Sequence, residues 1–447
     1  MAIHWKNLRR EFGPMMRLGA PLVLADLGWM AMGVVDTAMA GPLGAGAVGA
    51  GSLGNMLFYP VAAWGTGTLL GMDTLVAQSH GAQDPRDCRR TLVNGVWLAI
   101  GLSPLLALIM WALIPLLEAA GTNAHVMLLL TPFLKALIPS VLPLLLFTAF
   151  RRYVQAVDIV KPVTFALISA NLVNFAGNWL LMYGHWGAPR MGLAGSGWST
   201  TVARSYMAAV LLAAIVWGER KSGRLLFRIS WRPDFVRMRR LMGLGFPAAA
   251  QFGLEGAVFG VVAVLAARLD EASLAAHSIA VQVIATTYMV PLGISSAAAV
   301  RVGQAVGRKD REGVVASGWA ALLLSCLFMG AAGLALWTVP QAIIRRFIDD
   351  AAVIGTGGVL LRIAAFFELF DGVQVVATGA LRGLGDTRTP MLAHFAGYWL
   401  IGLPVAWVLC FPYGWGAAGI WVGLSAALIL IGAALVLVWG YRSARFG

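Results

Sequence analysis

Six acidic residues lie inside long apolar stretches of this sequence, where a carboxylate needs a physical reason to be present. They are Asp26, Asp36, Asp73, Glu255, Glu368 and Asp371. In a bilayer, a charged side chain near the centre of a helix raises the free energy of insertion by about 2.5 to 3.5 kcal/mol. We therefore expect these acids to face a cavity or a partner of opposite polarity.

Polar neighbours identify a cluster in the first half of the chain. Asp36 lies deep in the first apolar stretch, and the fifth stretch carries Asn171, Asn174 and Asn178. The last two asparagines are four residues apart, so on a helix they share one face. A pocket of amide oxygens and one carboxylate is predicted here.

A second cluster lies in the other half. Gln251, Glu255 and Phe259 follow one another at intervals of four residues and form a stripe on one helix face. Asp371 is followed three residues later by Gln374. Each half of the chain is therefore predicted to hold its own polar pocket.

Both clusters have the chemistry of a monovalent cation site. Carboxylate, amide and hydroxyl oxygens replace part of the water shell of Na⁺, and a carboxylate removed from water also binds H⁺ more readily. The residues allow either ion. For Asp26 and Asp73, near the ends of their stretches, contact with the interface is an equal alternative, and Glu368 is expected to face a wet lumen or pair with Arg362.

The composition shows what positions these residues. The chain has 447 residues, of which 59% are hydrophobic and 12% charged, whereas soluble domains have about 25% charged residues. Twelve apolar stretches recur, each near the roughly 20 residues that cross a bilayer. Because irregular backbone cannot face lipid, we predict an all-α polytopic membrane protein.

Most Lys and Arg residues fall in every second connecting segment, which predicts that both termini are cytoplasmic. The same distribution explains the net charge of +13 as a topology signal and a contact with anionic lipid, so nucleic-acid binding is not expected. The three cysteines and six histidines have no redox or ligand spacing, and we predict neither a disulfide nor a structural metal.

An internal repeat organises the helices. Residues 18–21 (LGAP) recur as 244–247 (LGFP), and 78–84 align with 304–310 at the same offset of 226 residues. Two six-helix repeats with the same orientation are typical of transporters. We predict an N-terminal lobe at 1–218, a basic cytoplasmic linker at 219–240 and a C-terminal lobe at 241–447.

Three segments carry a specific resemblance. Residues 18–54 (LGAPLVLADLGWMAMGVVDTAMAGPLGAGAVGAGSLG), 246–260 (FPAAAQFGLEGAVFG) and 370–390 (FDGVQVVATGALRGLGDTRTP) resemble the multidrug and toxic compound extrusion (MATE) family, in its NorM-like branch. The resemblance covers the whole chain and both repeats. It implies a two-lobed, V-shaped bundle of twelve helices in the bacterial cytoplasmic membrane.

The resemblance also implies a function. It predicts a monomeric secondary antiporter, not an enzyme and without a cofactor, that exports cationic amphipathic drugs or dyes by alternating access in exchange for Na⁺ or H⁺. Its residue assignments are cation binding at Asp36, Asn174, Asn178, Thr200, Glu255 and Asp371, and drug binding at Phe259, Asp349 and Asp350.

One departure bears on the coupling ion. Phe367, four residues before Asp371, stands where Na⁺-coupled relatives carry an aromatic hydroxyl, although the intact acid pair favours Na⁺, with H⁺ as the alternative. A flippase of lipid-linked saccharides in the same superfamily is the alternative function, for which cations should line the lumen.

Overall fold

The computed structural model describes residues 5–221 and 230–446, and every regular element in those two ranges is helical. The predicted linker at 219–240 falls partly outside them, since 222–229 are not described. The predicted all-α polytopic fold is confirmed.

The α-helices of the first half lie between residues 5 and 221. They are α1 (Trp5–Ala40), α2 (Ala45–Thr68), α3 (Gly71–Gly81), α4 (Pro85–Ala119), α5 (Ala124–Leu137), α6 (Val141–Ala156), α7 (Lys161–Leu181) and α8 (Leu193–Lys221).

Helices in the second half include one π-helical segment, Phe395–Gly402. The α-helices are α9 (Phe235–Ala267), α10 (Glu271–Gly307), α11 (Arg311–Thr338), α12 (Pro340–Ile344), α13 (Ala351–Leu384), α14 (Arg388–His394), α15 (Leu403–Cys410) and α16 (Gly416–Ala444).

Eleven helical segments of the described chain are long and apolar enough to cross a membrane. The predicted second span is not among them: it consists of the glycine-rich α2 and of α3, and the helix is interrupted between Thr68 and Gly71. Residues 45–81 precede residues 271–307 by 226 positions. A single helix, α10, therefore corresponds to two shorter helices in the first repeat.

The chain forms two compact units. One comprises Leu24–Ala249, and the other comprises Met1–Val23 together with Ala250–Gly447. The predicted lobes, in contrast, keep the whole first helix in the N-terminal half. The two division points are also 226 residues apart. In both α1 and α9, the residues before the division point belong to one unit and those after it belong to the other.

Charged contacts anchor the starts of these two helices within their units. Glu11 of α1 accepts hydrogen bonds from Arg301 Nη2 at 2.8 Å and from the Ser317 hydroxyl at 3.2 Å. Arg237 of α9 donates to Asp87 Oδ1 at 2.5 Å and to the Thr91 hydroxyl at 2.8 Å. Glu11 and Arg237 occupy equivalent repeat positions, so the same anchor is built twice with reversed charge.

Two further acids have partners inside the unit Leu24–Ala249. Arg151 donates to Asp26 Oδ1 at 2.6 Å, and Arg152 Nη1 lies 3.4 Å from Asp73 Oδ2. Asp26 is 7% exposed, Arg151 9% and Asp73 1%. Adjacent arginines of α6 thus neutralise both acids within the protein, in place of the contact with the interface considered above.

Breaking the Asp26–Arg151 pair should destabilise the protein strongly. Arg151→Ala leaves a buried carboxylate without its counter-ion, which costs about 3 to 5 kcal/mol in comparable pairs. Thermal unfolding of the purified protein in detergent measures this loss. The control is Arg308→Ala, which removes an exposed ion pair to Asp310 at 3.8 Å and should change stability by less than about 1 kcal/mol. Equal effects of the two variants would contradict the prediction.

Candidate cation-binding sites

The structure brings the first predicted cluster together in the unit Leu24–Ala249. Asn178 Nδ2 donates to Asp36 Oδ1 at 2.6 Å and to Asn174 Oδ1 at 3.3 Å. The Thr200 hydroxyl donates to Asp36 Oδ2 at 3.4 Å. Four residues from α1, α7 and α8 therefore form one polar group around a single carboxylate.

A close helix contact explains why these side chains meet. A Cβ atom at Gly177 would lie 2.9 Å from Ser199 Oγ, so only glycine allows α7 to approach α8 this closely. Asn178 follows Gly177 and Thr200 follows Ser199 in sequence. The contact thus places the asparagine and the threonine on either side of Asp36.

A fixed cation accompanies this site. Arg204, one turn after Thr200 on α8, is 3% exposed and donates to the Ser140 hydroxyl at 2.6 Å. Its guanidinium lies 4.4 Å from the ring centre of Phe58 and 5.9 Å from that of Trp29, and it interacts electrostatically with Asp36. The charge of Asp36 is therefore partly balanced by the protein itself.

The second cluster lines a cavity of about 170 Å³ in the other unit. Glu255 and Asp371 are its carboxylates. The remaining walls are mostly aromatic and aliphatic: Phe259, Val281, Ile284, Ala285, Tyr288, Phe367, Tyr398, Trp421, Leu424 and Leu428. The described lining contains no Lys, Arg or His, so no basic side chain in it offsets the two carboxyl groups.

Two polar atoms at this cavity have no hydrogen-bond partner within the described ranges. They are Glu255 Oε2 and the hydroxyl of Tyr398, a residue that is 1% exposed. Leaving a buried polar atom unpaired costs about 1 to 3 kcal/mol. An arrangement of this kind suits a site whose partner is a bound ligand.

Glu368, one turn before Asp371, has a different environment. It is fully buried, and its Oε1 accepts a hydrogen bond from the hydroxyl of Thr287 on α10. It does not line the cavity. The partner of Glu368 is therefore Thr287, whereas the sequence suggested Arg362 or a wet lumen.

The predicted drug-binding residues do not all line the cavity. Phe259 lines the cavity with Glu255 and Asp371. Asp349 and Asp350 are exposed and precede α13, where Asp350 accepts hydrogen bonds from the backbone of Ala352 at 2.8 Å and of Val353. Asp350 therefore caps a helix, and neither acid is part of the cavity lining.

Sequence reasoning missed three aromatic members of the cavity, namely Tyr288, Tyr398 and Trp421, besides its aliphatic wall. Each belongs to a different helical segment, α10, the π-helical segment or α16, so no local spacing links them to Glu255 or Asp371. The available signal was a polar aromatic side chain inside an apolar span.

Most of this chain is similar to a known protein family. Residues 21–180 and 247–408 match the MatE family. A probable multidrug resistance protein NorM of Mesorhizobium japonicum is 37% identical, with 96% of this chain and 94% of that protein covered. A probable multidrug resistance protein NorM of Pseudomonas aeruginosa is 35% identical, with 97% of this chain and 90% of that protein covered.

The chain belongs to the MATE family. A crystal structure of the eukaryotic MATE transporter AtDTX14 shares the fold of this MATE protein, with a TM-score of 0.88 at 18% identity over 98% of this chain and 99% of that one. As a member of this family, the protein is a multi-pass membrane transporter and not an enzyme.

Removing the Tyr398 hydroxyl from this MATE transporter should not destabilise it. Since the hydroxyl lacks a partner among the described residues, Tyr398→Phe keeps the ring and removes an unpaired polar atom, and the melting temperature in detergent should stay constant or rise. The matched control is Tyr183→Phe, because the Tyr183 hydroxyl donates to Met39 O at 2.6 Å. That variant should lose about 0.5 to 1.5 kcal/mol. A larger loss for Tyr398→Phe than for Tyr183→Phe would refute the prediction.

Proposed function

We propose that this MATE transporter is a multidrug efflux antiporter that exports cationic amphipathic compounds in exchange for Na⁺ or H⁺. It acts in the bacterial cytoplasmic membrane, with both termini cytoplasmic, as a monomer that works by alternating access. The NorM relatives, which are named as multidrug resistance proteins, support this class of substrate.

The observation that carries the proposal is the acidic, aromatic cavity. Glu255 and Asp371 supply negative charge, and Phe259, Tyr288 and Trp421 supply faces that attract a cation. A cation over an aromatic ring gains about 0.5 to 2 kcal/mol, and the aliphatic remainder of the wall suits an apolar body. A lipophilic cation matches both properties at once.

The coupling ion binds at the same carboxylates or at Asp36 with its amide partners. Na⁺ needs several oxygens, for which the cavity offers two carboxylates and the hydroxyls of Tyr288 and Tyr398. H⁺ needs only one carboxylate. Phe367 contributes no oxygen. If the coupling ion is Na⁺, the hydroxyls of Tyr288 and Tyr398 must therefore supply the oxygen ligands in its place.

Exchange follows from competition between the two cations. A coupling ion that neutralises Glu255 and Asp371 weakens the attraction for a cationic drug, which then leaves on the outer side. After the inward-facing state forms, the ion dissociates and a new drug binds. By thermodynamic linkage, the drug must weaken ion binding by the same factor.

A flippase of lipid-linked saccharides is the alternative. Its pyrophosphate substrate requires cations in the binding cavity, whereas the described lining of this cavity is acidic. Arg204 is a buried cation in the other unit, but Ser140 and two aromatic rings already contact it. The charge distribution therefore favours export of cations.

Asp371→Asn should abolish cation-driven efflux while the protein still folds. One carboxylate is lost and the side-chain volume is kept, so Glu255 alone remains to bind a cation in the cavity. Ethidium efflux from proteoliposomes, driven separately by an imposed Na⁺ gradient and an imposed pH gradient, measures this effect and identifies the coupling ion.

The matched control for that assay is Asp270→Asn. Asp270 caps α10 through Ser273 N at 2.8 Å, and asparagine caps helices as well as aspartate does, so efflux should be unchanged. If Asp371→Asn transports ethidium at the wild-type rate under either gradient, the assigned site is wrong.

The predicted drug contacts Asp349 and Asp350 are testable without disturbing the helix. Asp350→Asn retains a capping side chain and removes only the charge. We expect an unchanged melting temperature and a half-saturating ethidium concentration about two- to fivefold higher, as for loss of an exposed ion pair. Asp349→Asn should behave similarly, and wild-type ethidium affinity in both variants would exclude these acids from the drug path.

A further inference from the structure

A chain of buried hydrogen bonds leads away from Asp371 to the neighbouring helix α14. Gln374 Nε2 donates to Asp371 Oδ1 at 3.2 Å, and Gln374 Oε1 lies 2.6 Å from His394 Nε2. On the other side of the ring, His394 Nδ1 lies 2.7 Å from Pro390 O. Gln374 and His394 are both fully buried.

The acceptor at one end of this series of hydrogen bonds determines which nitrogen of His394 carries a hydrogen. A proline carbonyl can only accept, so Nδ1 of His394 carries a hydrogen and the ring plane is fixed against the backbone of α14. The other ring nitrogen faces the side-chain amide of Gln374. A ring protonated on both nitrogens donates to Gln374 Oε1 and leaves the amide NH₂ to donate to Asp371. A neutral ring instead accepts from that NH₂ and turns the amide oxygen toward a protonated Asp371. In both arrangements Gln374 joins the ring to Asp371.

Gln251 of α9 reinforces the arrangement. Its Nε2 lies 3.4 Å from His394 Nε2, and the residue is 4% exposed. Gln251 precedes Glu255 by one helical turn. The imidazole therefore links the helix that carries Glu255 with the helix that carries Asp371.

The backbone after His394 is also unusual. The π-helical segment Phe395–Gly402 begins at the next residue, and π-helical turns inside helices are frequent at functional sites. Trp399 Nε1 donates to Leu254 O at 3.2 Å, beside Glu255, and Tyr398 lines the cavity. The junction between α14 and the π-helical segment thus carries both the buried His394 and the cavity residue Tyr398.

We propose that His394, acting through Gln374, is a positioning residue for the coupling cation. It ties Asp371 Oδ1 to a fixed amide and thereby sets the orientation in which the carboxylate meets the cavity. Partners that orient a cation-binding side chain typically change cation affinity by about 10- to 100-fold when removed. This inference rests on the proposed role of Asp371 in coupling.

Conservative substitutions separate positioning from packing. In His394→Asn the amide nitrogen reaches the position of Nδ1 but not that of Nε2, whereas in His394→Gln it reaches the position of Nε2. Ser295→Ala is the control, because it removes a different buried hydrogen bond to α13, from Ser295 Oγ to Val375 O at 2.7 Å.

The test measures ethidium exchange by each full-length variant in proteoliposomes, with Na⁺ varied at fixed pH and with pH varied without Na⁺. We expect His394→Asn to raise the half-saturating concentration of the coupling ion about tenfold with a nearly unchanged maximal rate. His394→Gln should restore it to within about twofold of wild type, and Ser295→Ala should leave it unchanged.

Two results would overturn the positioning role. One is an unchanged half-saturating concentration of the coupling ion in His394→Asn. The other is an equal loss of maximal exchange rate in His394→Asn and His394→Gln, with lower melting temperatures but no change in ion affinity. Asp371→Asn in the same assay tests the proposed function separately. If that variant still couples efflux to the ion, the proposed function fails whatever His394 does.

Discussion

A polar atom in the apolar interior of this protein raises its free energy unless it finds a partner there, and this constraint organises both units. In the unit Leu24–Ala249, Asp26 pairs with Arg151, Asp73 with Arg152, and Asp36 with Asn178 and Thr200. In the other unit, Glu255 Oε2 and Glu368 Oε2 have no hydrogen-bond partner among the described residues. Asn174 Nδ2 and Asn178 Oδ1, beside Asp36, also have no partner within the described ranges. Both acid clusters therefore keep polar atoms that a bound ligand can satisfy.

The two repeats share a backbone plan but not its chemistry. Glu11 and Arg237 anchor equivalent helices with opposite charges, and their hydroxyl partners, Ser317 and Thr91, are also 226 residues apart. Duplication explains the common geometry, because helices α1 and α9 need the same contact to hold their starts in place. Divergence of side chains then allowed each unit to develop its own pocket.

Much of the fold was accessible from sequence, since hydropathy and the 226-residue offset are local or periodic signals. The cluster of Asp36 with Asn174 and Asn178 was also accessible, because two of its members share one helix face. The break between α2 and α3 was not, since the equivalent residues of α10 continue as one helix. The contacts of His394 with Gln374 and of Tyr398 with the cavity depend on how α14 and the π-helical segment pack, and no spacing along the chain encodes them.

The uneven charge of the two pockets gives an electrostatic reason for the proposed exchange. Arg204 partly offsets Asp36 in one unit. Glu255 and Asp371 have no such counter-charge among the residues that line their cavity, and unpaired carboxylates in an apolar environment are strongly unfavourable. On the proposed function, that cavity favours being neutralised at each stage, by H⁺, Na⁺ or a cationic drug. A cavity that is least stable when empty releases one cation most readily as another replaces it, as the proposed antiport requires.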